Sequence, residues 1–224
     1  MVKKPMPSPF GHALGGVLAA WTADLIPGAP ASRTALPQAN VLRRAGGQLT
    51  LVCAALAAAP DLDLLMPFQH RTVTHSVGAL AIVTILAAIV TGQVTGEVGS
   101  GKWKVESKLK VASQFKVPHW RVVLMCGAAY ATHLLFDWLA IDNNPPRGLQ
   151  MLWPFSEGWF VSGADLFIQT ERRRFLTLDT FRINLTAMAW ETVLLSPVLA
   201  ALWLVRVKAL ARFATELPRG DHTA

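Results

Sequence analysis

Histidine and aspartate side chains recur at three places in the chain, each beside an apolar stretch. His12 lies in PFGHALGG, residues 60 to 76 read PDLDLLMPFQHRTVTHS, and a third group lies in THLLFDW. The polar members of the last two stretches are Asp61, Asp63, His70, His75, His133 and Asp137. Mixed imidazole and carboxylate ligation suits zinc, manganese or ferrous iron. These seven residues are therefore candidate metal ligands, numerous enough for one or two ions.

The spacing within each stretch favours a shared site, although each piece alone has a simpler explanation. His133 and Asp137 are four residues apart, which places them on one face of a helix, where they can hold one ion or only hydrogen-bond to each other. Asp61 and Asp63 follow Pro60, which ends a helix, and side chains two apart on an extended segment point the same way. The alternative for these aspartates is helix termination and capping.

Three ionisable residues lie at the start of apolar segments or inside them. We expect His75 at the start of a long apolar helix, where the positive end of the helix dipole keeps imidazole neutral and able to bind metal. His12 lies near the start of the first apolar run. Glu191 interrupts another one, and an ionisable residue inside a membrane segment is a functional candidate by default. We include Glu191 as a ligand candidate, with helix bridging as its alternative.

The composition is that of a membrane protein. The 224 residues are 52% hydrophobic and only 16% charged, against about 25% charged in soluble domains. Residues 72 to 96 carry no charge, and a spanning helix needs about 20 apolar residues. Residues 120–141 and 183–205 are further candidate spans, and 10–26 and 49–59 are shorter ones. We predict an all-α, polytopic membrane protein with about four to five transmembrane or half-inserted helices.

The basic residues predict how the helices are oriented. With five crossings, 13 of the 21 lysines and arginines fall on one side, in residues 33–44, 102–121 and 206–219, and that side should be cytoplasmic because basic loops stay inside. The seven candidate ligands then lie together on the outer face of the inner membrane. The net charge of +7 is explained by this topology, and we expect no nucleic-acid partner because no aromatic and basic pattern repeats.

No repeat or composition shift marks a second domain, so we expect one helical membrane domain over residues 1–224. Residues 92–118 form a lysine-rich loop, and residues 142–183, with turn formers and tryptophans, should lie along the membrane surface. His119 and His222 fall on the cytoplasmic side or in the polar tail. We assign them no role in the site.

Three stretches, PSPFGHALGG, PDLDLLMPFQHRTVTHS and HLLFDWLAIDNNPPRGLQMLWPFS, resemble the blocks of the YdjM-like family of bacterial inner-membrane proteins, described as metal-dependent hydrolases. They cover about residues 7–156. The resemblance implies that the histidines and aspartates of the three stretches are the family's metal residues. Thr72 and Val73 depart from the glycine expected after Arg71. The resemblance implies no substrate.

We therefore expect a membrane-bound hydrolase in which zinc, manganese or iron activates water to attack a lipid-like or phosphorylated substrate. Asp63 or another carboxylate is the candidate base. Arg71 and Arg147 are candidates for binding an anionic group, and their alternative is contact with lipid phosphates. The rival functions are transport of metal ions or protons, and a non-catalytic adaptor with a structural metal site.

Overall fold

The computed structural model describes residues 7–23, 25, 45–65, 70–91, 96–98, 101–103, 119–142, 145–168, 170–171 and 177–215. In these residues, five α-helices carry the fold, namely α1 (Pro9–Ala23), α2 (Gln48–Ala58), α3 (Val77–Val90), α4 (His119–Trp138) and α5 (Leu178–Thr215). Two 3-10 helices, η1 (Ala59–Leu65) and η2 (Val73–His75), follow α2 and precede α3. The expected helical architecture is confirmed, with one small addition. Gly96–Val98 (β1) and Gly101–Trp103 (β2) form an antiparallel hairpin within the lysine-rich loop.

Helix α1 lies at the centre, against α2, α4 and α5, while α3 packs on α4. Two adjacent glycines allow this. A Cβ on Gly15 would lie 2.9 Å from the Phe136 ring, and one on Gly16 would lie 2.6 Å from the carbonyl carbon of Cys53. Small residues let helix backbones approach closely, which is how helices associate in membranes. The buried cluster between α1, α2 and α4 is accordingly rich in alanine, at positions 19, 20, 23, 57 and 129.

Helix α3 begins later than the uncharged run that predicted it. The chain forms η2 before the helix, and the Ser76 hydroxyl then accepts a hydrogen bond from the Ala79 N–H at 3.2 Å, which makes Ser76 the N-cap. A serine in this position satisfies a backbone donor that would otherwise have no acceptor. The result is a helix of 14 residues, about 21 Å long at 1.5 Å per residue.

Within the described ranges, one helix is both long and apolar enough to cross a membrane, namely residues Leu178–Ala209 of α5. Its side chains are mostly exposed, among them Phe181, Leu185, Val193 and Leu204. Helix α3 is apolar but short, and α1 and α2, with 15 and 11 residues, are shorter than a full span.

Part of the segment predicted to lie along the membrane surface folds back onto the helices. The Val77 and Gly78 N–H groups at the start of α3 donate to the carbonyl oxygens of Met151 and Trp153, at 2.8 and 3.0 Å. A bridge between Leu149 and Phe160 closes this segment on itself. The first turn of α3, next to His75, is thus held in place by residues 149–160.

Candidate metal centre

The predicted ligands meet at one end of the helix bundle. They form two groups of buried side chains, each able to hold a metal ion: His12, His133 and Asp137 in the first, and Asp61, His70 and His75 in the second. Helices α1 and α4 supply the first group. The second comes from η1, from the turn that follows residue 69, and from η2. All seven predicted histidines and aspartates lie in or beside these groups.

His133 is oriented by the end of α2. Its Nδ1 lies 2.7 Å from the carbonyl oxygen of Ala57, and because a carbonyl can only accept, Nδ1 carries the hydrogen. The lone pair of the neutral ring is therefore on Nε2, which lies 3.5 Å from Asp137 Oδ2 and 3.8 Å from Asp61 Oδ1. A histidine whose second nitrogen donates to a carbonyl is the usual arrangement of a metal ligand.

The two groups adjoin, since His75 reaches from one to the other. Nε2 of His75 lies 3.3 Å from Asp137 Oδ2 and 3.7 Å from Asp61 Oδ1. Donor atoms about 2.1 Å from a tetrahedral ion are about 3.4 Å from each other. The His75, His133, Asp61 and Asp137 atoms already have separations close to this value before any ion is considered.

Asp63 faces the rings of the second group from behind. Its Oδ1 lies 2.5 Å from His70 Nδ1, and its Oδ2 accepts a hydrogen bond from the Thr74 hydroxyl at 2.6 Å and lies 3.4 Å from His75 Nδ1. Burial raises the pKa of Asp63, but hydrogen bonds with His70, His75 and Thr74 outweigh it and hold that pKa well below its usual range. An ionised carboxylate in this position orients both rings.

The two histidines beside Asp63 differ in their titration. Burial lowers the pKa of His70, and the charge on His75 lowers it further; the hydrogen bond that His70 donates to Asp63 raises it but does not outweigh these two effects. Burial also lowers the pKa of His75, but the nearby carboxylates of Asp61, Asp63 and Asp137 raise it to about 9. His75 therefore carries a proton near neutral pH when no ion is bound, and the neutral ring predicted from its place before α3 is wrong for this state because three carboxylates face it.

His12 stacks on His133, with ring centroids 3.8 Å apart. Its Nε2 lies 3.5 Å from Asp137 Oδ1. Asp137 thus has one oxygen toward His12 and the other toward His75 and His133.

Several of the converging atoms are buried and form no hydrogen bond within the part of the chain that the structure describes. They are both ring nitrogens of His12, Nε2 of His75, Nε2 of His133, and both oxygens of Asp137. Leaving buried polar atoms without hydrogen bonds is costly, and such atoms need an explanation. A bound cation would give partners to the Nε2 atoms of the three histidines and to the Asp137 oxygens.

The two predicted anion-binding arginines occupy different environments. Arg71 is buried and has a positive φ of 66°. Its Nη1 lies 2.7 Å from Asp142 Oδ2, which also accepts from the Gly148 N–H, and its Nη2 lies 3.8 Å from Asp137 Oδ1. Arg71 therefore lies directly beside the candidate ligands. Arg147 is exposed, and no described contact brings it to them.

The other ionisable candidates lie apart from both groups. Glu191 is buried against the start of α1, where it accepts hydrogen bonds from Ser8. His119 begins α4 and is exposed, about 27 Å along the helix from Asp137 at 1.5 Å per residue. His222 lies outside the described residues.

Sequence reasoning expected Thr74, beside His75, to support the ligands, but it missed Tyr130 and Asp142 as site residues. The Tyr130 hydroxyl donates to the Thr74 carbonyl at 2.5 Å and so ties η2 to α4. Tyr130 is the only tyrosine in the chain, three residues before His133 and therefore on the same helical face. The spacing of Tyr130 and His133 could therefore have predicted Tyr130 as a site residue. Nothing in the sequence pattern predicts that Arg71 pairs with Asp142.

A family model for the YdjM inner membrane protein matches residues 6–216. The match covers nearly the whole chain, including every described candidate ligand, and the chain belongs to this family. No curated protein and no solved structure matches the chain.

Proposed function

We propose that this member of the YdjM inner membrane protein family is a metal-dependent hydrolase acting on a membrane-associated ester or phosphoester. The observation that carries the proposal is the meeting of buried donor atoms from His12, His75, His133 and Asp137 without hydrogen bonds among the described residues. The six residues of the two groups exceed the four ligands that a closed structural zinc site uses. The excess leaves room for an open position.

The arrangement would suit two ions, because Asp137 adjoins both groups. One ion would be held by His12, His133 and Asp137, and the other by Asp61, His70 and His75. The oxygens of Asp137 lie 3.5 Å from His12 Nε2 and 3.3 Å from His75 Nε2, so this carboxylate reaches both groups. Paired catalytic ions are about 3.5–4 Å apart and are commonly used in hydrolysis. Zinc suits the nitrogen-rich set, with manganese and iron as alternatives.

A bound divalent ion would supply a water molecule with its pKa lowered toward neutrality. The protein's own groups prepare the site for it. Asp63 holds the rings of His70 and His75 in position and is a candidate proton acceptor. Arg71, held by Asp142 and directed at Asp137, places a fixed positive charge beside the reacting group, where it stabilises developing negative charge. Arg147 is a candidate for contacting an anionic head group farther out.

A membrane-associated substrate is supported by the side chains next to the ligands. Along η1 the buried aspartates alternate with exposed leucines, Leu62 and Leu64. Val73, two residues before His75, is also exposed. Apolar residues therefore lie on the outer side of the segments whose inner side carries the ligands. Such an edge suits an amphiphile whose polar group reaches the ions while its chain stays in lipid.

The proposal includes a multi-pass topology with the metal site on the outer face of the inner membrane. Helix α5 supplies one crossing by its length and hydropathy. The short helices α1 and α2 pack on each other, and the short apolar helix α3 packs on α4; in this proposal all three are half-inserted or thin spans. The distribution of basic residues supports the orientation.

Hydrolysis by purified protein in lipid tests the proposal. Lipid phosphoesters, acyl esters and soluble phosphoesters are incubated with wild type, Asp63→Ala, His75→Ala and the matched control His119→Ala. We expect turnover that chelation abolishes, that zinc, manganese or iron restores, and that falls by several orders of magnitude in the first two variants but not in the control. Equal rates for wild type and His75→Ala on every substrate would refute it.

The same purified protein can be used to test the alternative function, transport of metal ions. Reconstituted vesicles loaded with a metal-sensitive dye report flux of zinc or manganese. Flux that depends on Glu191, together with no hydrolysis, would replace the hydrolase with a transporter. Protein that binds metal but shows neither hydrolysis nor metal flux would support the third function, a non-catalytic adaptor with a structural metal site.

A further inference from the structure

Glu191 is buried in the middle of α5, the helix that meets the criteria for crossing a membrane. It is the only charged residue from 183 to 205. A charged group in such a helix is costly unless it has partners. Its partners are not the candidate metal ligands, since Glu191 belongs to neither of the two groups in the described residues.

The Glu191 carboxylate instead accepts hydrogen bonds from Ser8, the residue just before α1. Oε1 accepts a hydrogen bond from the Ser8 N–H at 2.6 Å, and Oε2 accepts one from the Ser8 hydroxyl. Ser8 immediately precedes α1, and its hydroxyl oxygen accepts from the Gly11 N–H at 3.1 Å. Ser8 is therefore the N-cap of α1, and both of its donors end on one side chain of α5.

The Glu191 carboxylate can approach Ser8 this closely because residue 11 is a glycine. A Cβ at this position would lie 2.7 Å from Oε2 and 2.8 Å from Cδ of Glu191. Any larger residue would displace the carboxylate from Ser8. Ser8, Gly11 and Glu191 therefore form this contact, and Glu191 is at least 180 positions from the other two in the sequence.

The next residue after Gly11 is His12, whose N–H donates to the Ser8 carbonyl at 3.1 Å. The height and rotation of this first turn of α1 determine where the His12 ring lies. That ring forms no hydrogen bond of its own among the described residues, stacks on His133 and lies 3.5 Å from Asp137. Its position thus depends on how the start of α1 is held.

We propose that Glu191 is a positioning residue that, by clamping Ser8, holds His12 in the metal centre and so couples the membrane helix α5 to metal affinity. The inference rests on the proposed metal centre but not on hydrolysis. It assigns Glu191 a role through His12 rather than as a ligand. Residues that orient ligands typically change metal affinity by about 10–100-fold when removed.

The test is a double-mutant cycle on zinc affinity, measured by competition with a chromophoric chelator. We expect Glu191→Ala and His12→Ala each to weaken zinc binding by about 10–100-fold. In the His12→Ala background, Glu191→Ala should cost less than about threefold more, because the two act through the same contact. Asp179→Asn, on the exposed first turn of α5, is the matched control and should leave affinity unchanged.

Glu191→Gln gives a second measurement in case the alanine variant inserts poorly. A glutamine oxygen can still accept one Ser8 hydrogen bond but loses the second charge-assisted one, so zinc affinity should lie between wild type and Glu191→Ala. Additive losses in the double variant would overturn the proposal in favour of direct ligation or general destabilisation. Unchanged affinity in Glu191→Ala, or no zinc binding by wild type, would overturn it as well. A cycle that couples as expected in protein without turnover would refute the hydrolase alone.

Discussion

At the scale of single residues, the histidines of the candidate metal centre are held in position to different degrees. His133 has one nitrogen fixed by the Ala57 carbonyl, and His70 and His75 each face Asp63. Neither ring nitrogen of His12 forms a hydrogen bond in the described part of the chain. The first three rings are therefore preorganised by side chains and backbone, whereas His12 relies on stacking and on the position of α1.

The raised pKa of His75 predicts how zinc affinity changes with pH. Because that pKa is about 9 without metal, an ion must displace a proton from His75 at any lower pH. Apparent affinity should therefore rise by about tenfold per pH unit between about pH 7 and pH 8.5. His70 has a lowered pKa and adds no proton in this range. Chelator competition at several pH values measures the slope.

The control for this slope is His75→Ala, in which the proton to be displaced is absent. Its affinity should be lower than that of wild type at high pH but should depend less on pH. A wild-type affinity that does not change across the range would contradict the protonated state of His75. It would leave the metal site itself intact.

The sequence predicted which residue types converge but not how each is used. The spacing of Asp61 and Asp63 predicted that their side chains point the same way. In the structure Asp61 faces His75 and His133, whereas Asp63 faces His70 and Thr74. These details follow from the 3-10 geometry of residues 59–65, which differs from the extended segment that the spacing suggested. The Ser8 and Glu191 contact joins residues 183 positions apart, beyond the reach of local pattern.

At the scale of secondary structure, the glycine pair in α1 determines how close the helices lie. Replacing Gly16 by alanine would bring a Cβ to 2.6 Å from the Cys53 carbonyl carbon and 2.7 Å from Cα of Ala54. Backbone atoms cannot move aside as side chains do, so we expect a loss of about 1–3 kcal/mol in the free energy of unfolding. Denaturant unfolding in detergent, followed by circular dichroism, measures it.

Gly47→Ala is the matched control, because a Cβ there meets nothing within 4 Å and its φ is −106°. We expect this change to stay within about 0.5 kcal/mol of wild type. Equal stability of Gly16→Ala and Gly47→Ala would mean that α1 and α2 do not pack through this glycine. The ligands from α1 and η1 would then lack the support that the structure gives them.

Helix boundaries were less predictable than helix identity. Hydropathy identified an apolar helix within residues 72–96, but His75 belongs to η2 and the helix starts at Val77. Capping by Ser76 and the carbonyls of Met151 and Trp153 decide that start. The serine was visible in the sequence, whereas the carbonyl partners come from a segment more than 70 residues away.

At the scale of the whole molecule, the two ends of the bundle differ. The metal groups lie where α4 ends, and the exposed His119 lies where α4 begins. Phe155, which is 88% exposed, belongs to the segment that holds the first turn of α3 beside His75. Phe155 and His119 therefore mark opposite ends, and labelling them reports which end faces outward.

Single cysteines at these positions test the topology in intact cells. We expect a membrane-impermeant thiol reagent to label Phe155→Cys but not His119→Cys, because basic loops remain cytoplasmic. The native Cys53 and Cys126 are both buried and give a low background. Labelling of His119→Cys alone would invert the orientation and move the metal centre to the cytoplasmic face.

The most direct measurement of the central claim is X-ray absorption at the zinc edge on purified protein reloaded with zinc. We expect a first shell of imidazole nitrogens and carboxylate oxygens at about 2.0–2.2 Å, with one to two ions per chain by elemental analysis. Asp137→Ala should lose at least one ion because both groups meet at this carboxylate, and His119→Ala should lose none. Wild-type protein that holds no more zinc than Asp137→Ala would contradict the metal centre.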